Sequence, residues 1–331
     1  MSSRVLLARI SLFLALVPAS ANSGQLNLAW DNDLFTGSDR GYTNGVRLSY
    51  LTSTAEASDE GSAQLARTAR EGLSFLPGIA DANNNHAMSV SLRQLMVTPE
   101  NISSDEPQFN DIPYAGHLSL SSTLWSWNAD SITGYGAHIG VVGPESGAEA
   151  SQKWVHKITG SERPRGWDNQ LGTDVVGGLQ AAHGRKLMQL GQNGELQQQL
   201  SVVGSTLLSS FRTTAKTGLI WRLGKQLPMN FVPDYAGTSS TIALPGSFSR
   251  GYSSWSVFVG LGLEYVAYSY LEDNAGQYRF KESPFLGQLG IGGTWQWDRF
   301  QTAFVLRATT GEEDRNKDNF SFGTLSLSWA L

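Results

Sequence analysis

The chain of 331 residues contains no cysteine. An exported protein without cysteine holds together without disulfides, and it can have neither a cysteine metal site nor a thiol nucleophile. Basic residues are also scarce, with 24 Lys and Arg against 29 Asp and Glu and a net charge of −5. Because proteins that bind nucleic acid carry a basic footprint, we expect no nucleic-acid partner.

Long apolar runs are missing as well. Residues 10–17 form a short apolar stretch that follows two arginines and precedes Ala19-Ser20-Ala21, which is the order of a secretory signal peptide and its cleavage site. Beyond it, no run approaches the roughly 20 apolar residues that a spanning helix needs. We expect residues 1–21 to be a signal peptide and residues 22–331 to form one exported domain.

What the chain does contain is 36 Gly, 10 Trp, 10 Tyr and 14 Phe, arranged in short stretches of alternating polarity. Such alternation is typical of β-strands in a membrane barrel and of those in a soluble sandwich. Twelve segments alternate well enough to predict strands: 25–33, 42–52, 86–97, 116–127, 133–143, 168–183, 195–206, 211–223, 253–272, 284–297, 299–309 and 320–331. In the ninth segment Phe258 breaks the alternation.

The last segment distinguishes between these two folds. Its apolar residues share one face and its small residues share the other: Leu325, Leu327, Trp329 and Leu331 against Thr324, Ser326, Ser328 and Ala330. An exposed apolar edge strand invites aggregation in a soluble sandwich, whereas an outer-membrane barrel closes its ring with such a strand. We therefore predict an all-β fold, a transmembrane antiparallel β-barrel of about 12 strands. Inward positions rich in Gly, Ser and Ala with few charges favour a narrow, filled barrel.

If both termini lie in the periplasm, the side of the membrane on which each connection lies is determined. Odd-to-even connections then face outward, among them 34–41, 98–115 and 144–167. Periplasmic turns are expected to be short, so the connections 53–85 and 224–252 are predicted to be insertions. The first of them contains a helix-like stretch at 63–72, and another short helix is predicted in the extracellular connection 144–167.

Polar residues at the end of the first strand suggest a site. Asn32 and Asp33 enter the first outer connection, and Thr43 begins the returning strand with the inward parity of Arg47 and Ser49. Amide and carboxylate oxygens are the ligands that calcium prefers. The same pair is equally compatible with a solvated turn stabilised by its own side chains.

His156 is the second candidate. It lies in residues 147–159, which read as a short helix ended by Gly160. Trp154 and Ile158 lie on one side of this helix, suited to packing on the barrel or in lipid, and His156 and Gln152 share a neighbouring face. Imidazole is the usual side chain for taking a proton from water near neutral pH. A plain interfacial histidine is the alternative. By contrast, we expect His138 to fill the barrel interior, and Tyr114 to belong either to an aromatic girdle or to a substrate wall.

Taken together, these residues resemble the outer-membrane lipid A 3′-O-deacylase family. The resemblance is carried by motifs spread in order over residues 26–171: Asn32-Asp33, Tyr42-Thr43-x-Gly45, Gln94 with Thr98-Pro99, Asp111-Ile112-Pro113-Tyr114-Ala115-Gly116, His156-Lys157-Ile158-x-Gly160, and Trp167 with Gln170. The C-terminal half resembles the family only as a barrel. The sequence departs from the family at Ile112, where a basic residue is expected, and in the connection 98–111, where no site lysine is evident.

The resemblance implies a calcium-dependent hydrolase that removes an ester-linked acyl chain from lipid A of lipopolysaccharide in the outer leaflet. His156 would be the base, Asn32, Asp33 and Thr43 would line the site, and Asp33 and Glu162 would hold Ca²⁺, which stabilises the oxyanion. The expected protein is a membrane-embedded monomer in the bacterial outer membrane. The alternative is a non-catalytic barrel, either a channel or a surface-interaction protein.

Overall fold

The computed structural model describes residues 24–32, 41–55, 62–81, 83–192, 195–227, 253–311 and 320–331, so the predicted signal peptide lies outside it. Across these ranges twelve antiparallel strands close into one barrel, each pairing with its neighbours in sequence. The strands are β1 Gly24–Asn32, β2 Gly41–Thr52, β3 Asn85–Thr98, β4 Ala115–Trp127, β5 Ser131–Val142, β6 Asp174–Leu190, β7 Leu196–Ser209, β8 Arg212–Lys225, β9 Ser254–Ser269, β10 Phe285–Trp297, β11 Phe300–Thr309 and β12 Phe320–Ala330. The predicted fold class and strand number are confirmed.

The barrel closes where β12 meets β1. On the inward face, the Asn27 amide donates hydrogen bonds to the hydroxyls of Ser326 and Ser328 at 2.8 and 2.7 Å. On the outward face, Leu327 and Trp329 are half-exposed, as lipid-facing residues are. The last strand therefore closes the ring, as its alternation predicted.

Inward side chains fill the lumen from its middle to the end that holds both termini. They form one cluster: Leu51, Ala87, Trp125, Trp127, Ile132, Val203, Ile220, Phe258 and Val305. Two glycines make room for aromatic rings, because a Cβ on Gly134 would lie 2.5 Å from Trp125 and one on Gly292 would lie 2.6 Å from Phe258. Phe258, which breaks the hydropathy alternation of β9, is thus an ordinary inward residue of a filled barrel.

The lumen also carries more charge than its small residues led us to expect. Arg212 donates to Glu264 at 2.8 Å and to Glu282 at 2.5 Å, and the Lys216 ammonium lies 3.3 Å from Glu264. Buried charges are tolerated when they are paired and hydrogen-bonded. The expectation of few inward charges is therefore wrong for the outer half of β8 and β9.

The sixth strand is displaced from its predicted position. It was predicted at 168–183 and forms Asp174–Leu190, whereas Gly166–Asn169 forms a short 3₁₀ helix. A register shift between Lys186 and Met188 interrupts the pairing of β6 with β7. Because a bulge shifts every later side chain to the other face, the last residues of this strand, 188–190, do not continue the alternation of the rest.

Three α-helices lie in the described connections. Helix α1 (Ser62–Gly72) confirms the helix predicted in the first insertion, and α2 (Ala148–Thr159) confirms the one predicted in an outer connection. Helix α3 (Tyr270–Asp273) takes the place of the predicted end of β9. Most of the second insertion, residues 228–252, lies outside the described residues. No helix in the described ranges is long and apolar enough to cross a membrane.

The two ends of the barrel differ in the length of their connections. Apart from the two insertions, 53–84 and 226–253, the end that holds both termini has short turns, such as 128–130 and 298–299, whereas the opposite end has the long connections 99–114 and 143–173. Bacterial outer-membrane barrels keep short turns in the periplasm and longer loops outside. We therefore call the first end periplasmic and the second end outer.

Candidate active site

A row of paired backbone positions crosses the outer ends of the first four strands. Asn32 is paired with Asn44, Asn44 with Met96, and Met96 with Gly116. Neighbouring strands lie about 4.8 Å apart, so this row is roughly 14 Å long. Leu28, which has the same parity as Asn32, is exposed on the outer face. The row therefore lies on the outside of the barrel wall and not in its lumen.

Helix α2 is seated on this row at Gly116. A Cβ on Gly116 would lie 2.1 Å from the Ser146 hydroxyl and 2.5 Å from the Ala148 Cβ, so the contact requires a residue without a side chain. The Gln94 amide on β3 donates to the Ser146 carbonyl at 2.7 Å. These contacts fix the start of α2 against β3 and β4.

A buried cluster of Met96, Tyr114, Ala148 and Trp167 supports the helix from below. The rings of Tyr114 and Trp167 have centroids 5.0 Å apart, and the Trp167 indole donates to the Gln152 side chain at 2.7 Å. Buried indole groups are usually hydrogen-bonded in this way. Tyr114 therefore belongs neither to a girdle nor to a substrate wall, the two roles predicted from the sequence; it positions α2.

The two long outer connections form one layer. The Arg165 amide donates to the Ile102 carbonyl at 2.8 Å, and the Leu171 amide donates to the Tyr114 carbonyl at 2.9 Å. Both connections were expected to face outward, and the structure brings them into contact. The third connection expected on this side was predicted at 34–41, and all of it except residue 41 lies outside the described residues.

His156 occupies the C-terminal end of the helix face that contacts the barrel. Ala148, Gln152 and His156 recur at intervals of four and so share one face, and the first two are fully buried while His156 is half-buried. The His156 Nδ1 atom lies 2.5 Å from the Glu162 backbone carbonyl. Because a carbonyl only accepts hydrogen bonds, Nδ1 carries the proton and Nε2 keeps its lone pair. His156 is thus held in the tautomer that can take a proton at Nε2.

The end of α2 brings this carbonyl to the imidazole. Gly160 adopts a left-handed conformation at φ 74°, and its amide donates to the His156 carbonyl, which is how many helices end. The chain then turns back, and Glu162 reaches the ring. Trp154 and Ile158, by contrast, are 59% and 63% exposed, so they do not contact the barrel and remain available to lipid.

The charges around α2 lie mostly in water. Glu149 and Lys153 form an ion pair at 2.5 Å, which at such exposure contributes little to stability. The Thr173 hydroxyl donates to the exposed Glu145 carboxylate, and this bond, with a smaller contribution from the backbone amide, lowers the pKa of Glu145.

Not every predicted site residue can be placed. Asn32 is buried at the wall and Glu162 has an exposed side chain, while Asp33 and the side chain of Thr43 lie outside the described residues. The backbone shows a register shift between Tyr42 and Asn44, so Thr43 lies in an irregular pair of strands. Among the described residues no three His, Asp or Glu side chains converge as metal ligands would. The metal roles of Asp33 and Glu162 stay predictions.

Sequence reasoning did not assign the residues that seat the helix. Ser146 and Ala148 touch the wall only because Gly116, far away in sequence, lacks a side chain. The interval of four between Ala148, Gln152 and His156 was the available signal for the buried helix face.

A closed barrel with an apolar outward face and a polar site at its outer end defines a β-barrel protein of the bacterial outer membrane. The chain belongs to the LpxR family, because the family model described as outer membrane protein LpxR matches residues 6–331.

Solved structures agree with the fold. LpxR from Salmonella typhimurium has 17% sequence identity and a TM-score of 0.74, with 93% of this chain and 100% of that chain covered. The β domain of the Bordetella autotransporter BrkA has 8% identity and a TM-score of 0.43 over 93% of this chain and 99% of its own; at that score it is only another barrel. No curated protein matches the chain.

Proposed function

We propose that this protein hydrolyses the ester-linked 3′-O-acyloxyacyl chain of lipid A, with His156 as general base. Membership of the LpxR family and the resemblance of its motifs to lipid A 3′-O-deacylases support this substrate class. The observation that carries the proposal is the 2.5 Å contact between His156 Nδ1 and the Glu162 carbonyl. It orients the ring and leaves Nε2 as the proton acceptor.

In the proposed reaction, Nε2 takes a proton from a water molecule as the water oxygen bonds to the ester carbonyl carbon. The bond between that carbon and the 3′ oxygen of the sugar then breaks, and the departing oxygen takes the proton back from the imidazolium. The products are a free fatty acid and a lipid A hydroxyl. Loss of a general base usually lowers the rate by roughly 10²–10⁴-fold.

The position of α2 supports a substrate that stays in the membrane. The helix lies on the outer face of β3 and β4, where a lipid can approach sideways without entering the lumen. Trp154 and Ile158 are exposed beside His156, and aromatic and aliphatic side chains of this kind partition into the membrane interface.

Basic side chains near His156 suit an anionic lipid. Lys157, Arg163 and Arg165 are exposed on the end of α2 and the segment that follows it. Guanidinium groups bind phosphate through two parallel hydrogen bonds. We propose that these residues contact the phosphates of lipid A, a role for which the connection 98–111 offered no lysine.

We further propose that calcium completes the site, held by Asp33 and Glu162 with Asn32 and Thr43 beside it. The support is the donor chemistry, since calcium prefers carboxylate and amide oxygens, together with the family resemblance. When bound, the ion would stabilise the negative charge that develops on the carbonyl oxygen. The described residues alone do not form a metal cluster, so the steps above are assigned to His156 only.

A channel is the less favoured function. Wide pores need a polar, water-filled interior, whereas Trp125, Phe258 and their neighbours fill this lumen from its middle to its periplasmic end. At the outer mouth, Phe211 stacks on His117 with ring centroids 4.1 Å apart. Phe211, Leu271 and Ile112 pack against a cluster of buried residues, Leu95, Val97 and Ala115. Ile112 thus covers the lumen where the family pattern places a basic residue.

The test is hydrolysis by the purified protein. Fully acylated lipid A is incubated with it in mixed micelles with calcium, and both the lipid and the released acid are identified by mass spectrometry. We expect one free acid and the matching loss of mass from the 3′ position, and no release by the His156→Asn variant. Unchanged lipid A in the presence of a folded barrel would contradict the proposal.

A further inference from the structure

The first periplasmic connection lies against the outside of the barrel. After α1, the chain passes over β3, β4 and β5 and accepts hydrogen bonds from outward residues on all three strands. The His86 ring lies 2.9 Å from the Ile79 carbonyl, the Ser126 hydroxyl donates to the Gly78 carbonyl at 2.8 Å, and the Tyr135 hydroxyl donates to the Pro77 carbonyl at 3.2 Å.

The residues next in sequence show which way these side chains point. Ala87 and Trp125, next to His86 and Ser126, belong to the cluster that fills the lumen. Successive side chains of a strand point to opposite faces, so His86 and Ser126 point out of the barrel. Segment 62–81 therefore covers a part of the wall that would otherwise meet the membrane.

The covered wall is polar, which is unusual for a membrane face. His86, Ser126 and Asn84 are 0%, 1% and 8% exposed, and Asn84 donates to the Ser126 hydroxyl at 2.9 Å. Unsatisfied polar groups facing hydrocarbon are unfavourable by several kcal/mol. The segment forms hydrogen bonds with these groups, so it packs on the wall here as part of the folded barrel.

The opposite side of the segment exposes two large apolar side chains, which lie among polar ones such as Gln64 and Glu71. Phe75 is 78% exposed and Leu65 on α1 is 48% exposed, while α1 turns Ala63 and Ala66 toward the barrel. Large exposed apolar side chains on a surface continuous with a lipid-facing wall indicate contact with the membrane.

An aromatic girdle elsewhere on the barrel marks the level of this surface. Trp297, Phe300 and Trp329 stack with centroids 5.9 and 5.7 Å apart and are exposed at the periplasmic ends of β10, β11 and β12. Such girdles lie at the membrane interface. His86 and Ser126 lie one residue inside the periplasmic ends of β3 and β4, at the same end of the barrel.

We propose that segment 62–81 is embedded in the periplasmic leaflet and completes the girdle over β3–β5, with Phe75 and Leu65 among the phospholipid chains. On these strands the tryptophans near the periplasmic end, Trp125 and Trp127, point into the lumen and are buried. The segment supplies in their place the aromatic residue that the interface favours. The partner of this surface is the phospholipid of the inner leaflet.

The absence of cysteine allows a direct test. Single-cysteine variants of the full chain carry a nitroxide label at Phe75→Cys, at Leu261→Cys on the bare lipid-facing wall, or at Gln192→Cys in an exposed periplasmic turn. Each is placed in nanodiscs of phosphatidylethanolamine and phosphatidylglycerol. Collision of the label with oxygen, which enters hydrocarbon, is compared with collision with a water-soluble nickel chelate.

We expect the oxygen-to-nickel ratio at position 75 to approach that at 261 and to exceed that at 192 on the order of tenfold, because water is excluded from the bilayer core. A ratio at 75 equal to that at 192 would overturn the proposal. If the label at position 75 is protected from the nickel chelate in cells but not in nanodiscs, a periplasmic protein covers it instead of lipid. That result would also overturn the proposal. Leu65→Cys gives an independent reading if Phe75→Cys does not fold, as judged by heat-modifiable migration on a gel.

Discussion

Two regions of the barrel wall, β9–β10 and β3–β4, both alternate inward and outward residues. They differ in what their outward residues contact. On β9 and β10 these positions are apolar and bare, with Leu261, Leu263 and Trp295 each more than 60% exposed. On β3 and β4, outward His86, Gly116 and Ser126 are buried beneath connections that lie on the wall. In a membrane barrel, a buried polar or small outward residue therefore marks the place where the chain covers its own surface, and one of these covers carries His156.

The largest expected effect is that of the cation. Asp33→Ala should abolish hydrolysis because it removes a proposed calcium ligand while the closed sheet stays intact. Asp273→Ala, which removes an exposed acid at the end of α3, should leave the rate unchanged. Fatty-acid release is measured with and without a chelator; full activity in excess chelator would rule out the metal.

The next prediction distinguishes an active site on the outside of the wall from one in the lumen. His156→Asn should lower the rate by roughly 10²–10⁴-fold through loss of the base. His138→Asn should stay within a few-fold of wild type, because His138 lies half-buried inside the barrel, 3.0 Å from the Ser209 hydroxyl. Initial rates and heat-modifiable gel migration are recorded for both. A requirement for His138 and not His156 would place the site in the lumen.

Two outward glycines allow a matched comparison. Gly116→Ala would put a Cβ 2.5 Å from the Ala148 Cβ, whereas Gly287→Ala on the bare wall meets nothing closer than 3.3 Å. The first must displace α2 by about an ångström, and a displacement of that size can reduce the rate about 10²-fold. Equal rates for the two variants would show that the seat of α2 does not position the base.

The smallest effect concerns pH. The hydrogen bond from Thr173 holds the pKa of Glu145 below its usual value. The bond therefore stabilises the folded connection at pH values above the pKa that Glu145 has in the unfolded chain. This stabilisation is lost as the pH falls through the lower pKa of Glu145 in the folded protein. Thr173→Val should raise the pKa of Glu145, followed by NMR of a labelled glutamate. Thr310→Val, on the other wall, should leave it unchanged, and hydrolysis near neutral pH should be unaffected in both. An unaltered Glu145 in Thr173→Val would contradict this bond.

The sequence was most informative where strands alternate without interruption. The period of two in β12 predicted both its lipid-facing Leu327 and its role in closure. It was least informative at β6, where the irregularity between Lys186 and Met188 exchanges the two faces, and in the lumen, where Arg212 and Glu264 neutralise each other across strands.

The candidate site was predictable as residue types but not as geometry. His156 and Gln152 could be placed on adjoining turns of a helix from their spacing alone. That Trp167 donates to Gln152, or that Gly116 admits Ala148, depends on contacts between distant segments. No local pattern encodes such contacts, so the sequence left the role of Tyr114 open.

The acylation state of lipid A in cells tests the central claim most directly. Lipid A is extracted from cells that carry equal outer-membrane amounts of wild-type protein, His156→Asn or His138→Asn, and is examined by mass spectrometry. A catalytic site on the covered wall predicts loss of the 3′ acyl chain with wild type and His138→Asn, and intact lipid A with His156→Asn. Intact lipid A in all three, with calcium supplied, or loss of the chain with His156→Asn would contradict it.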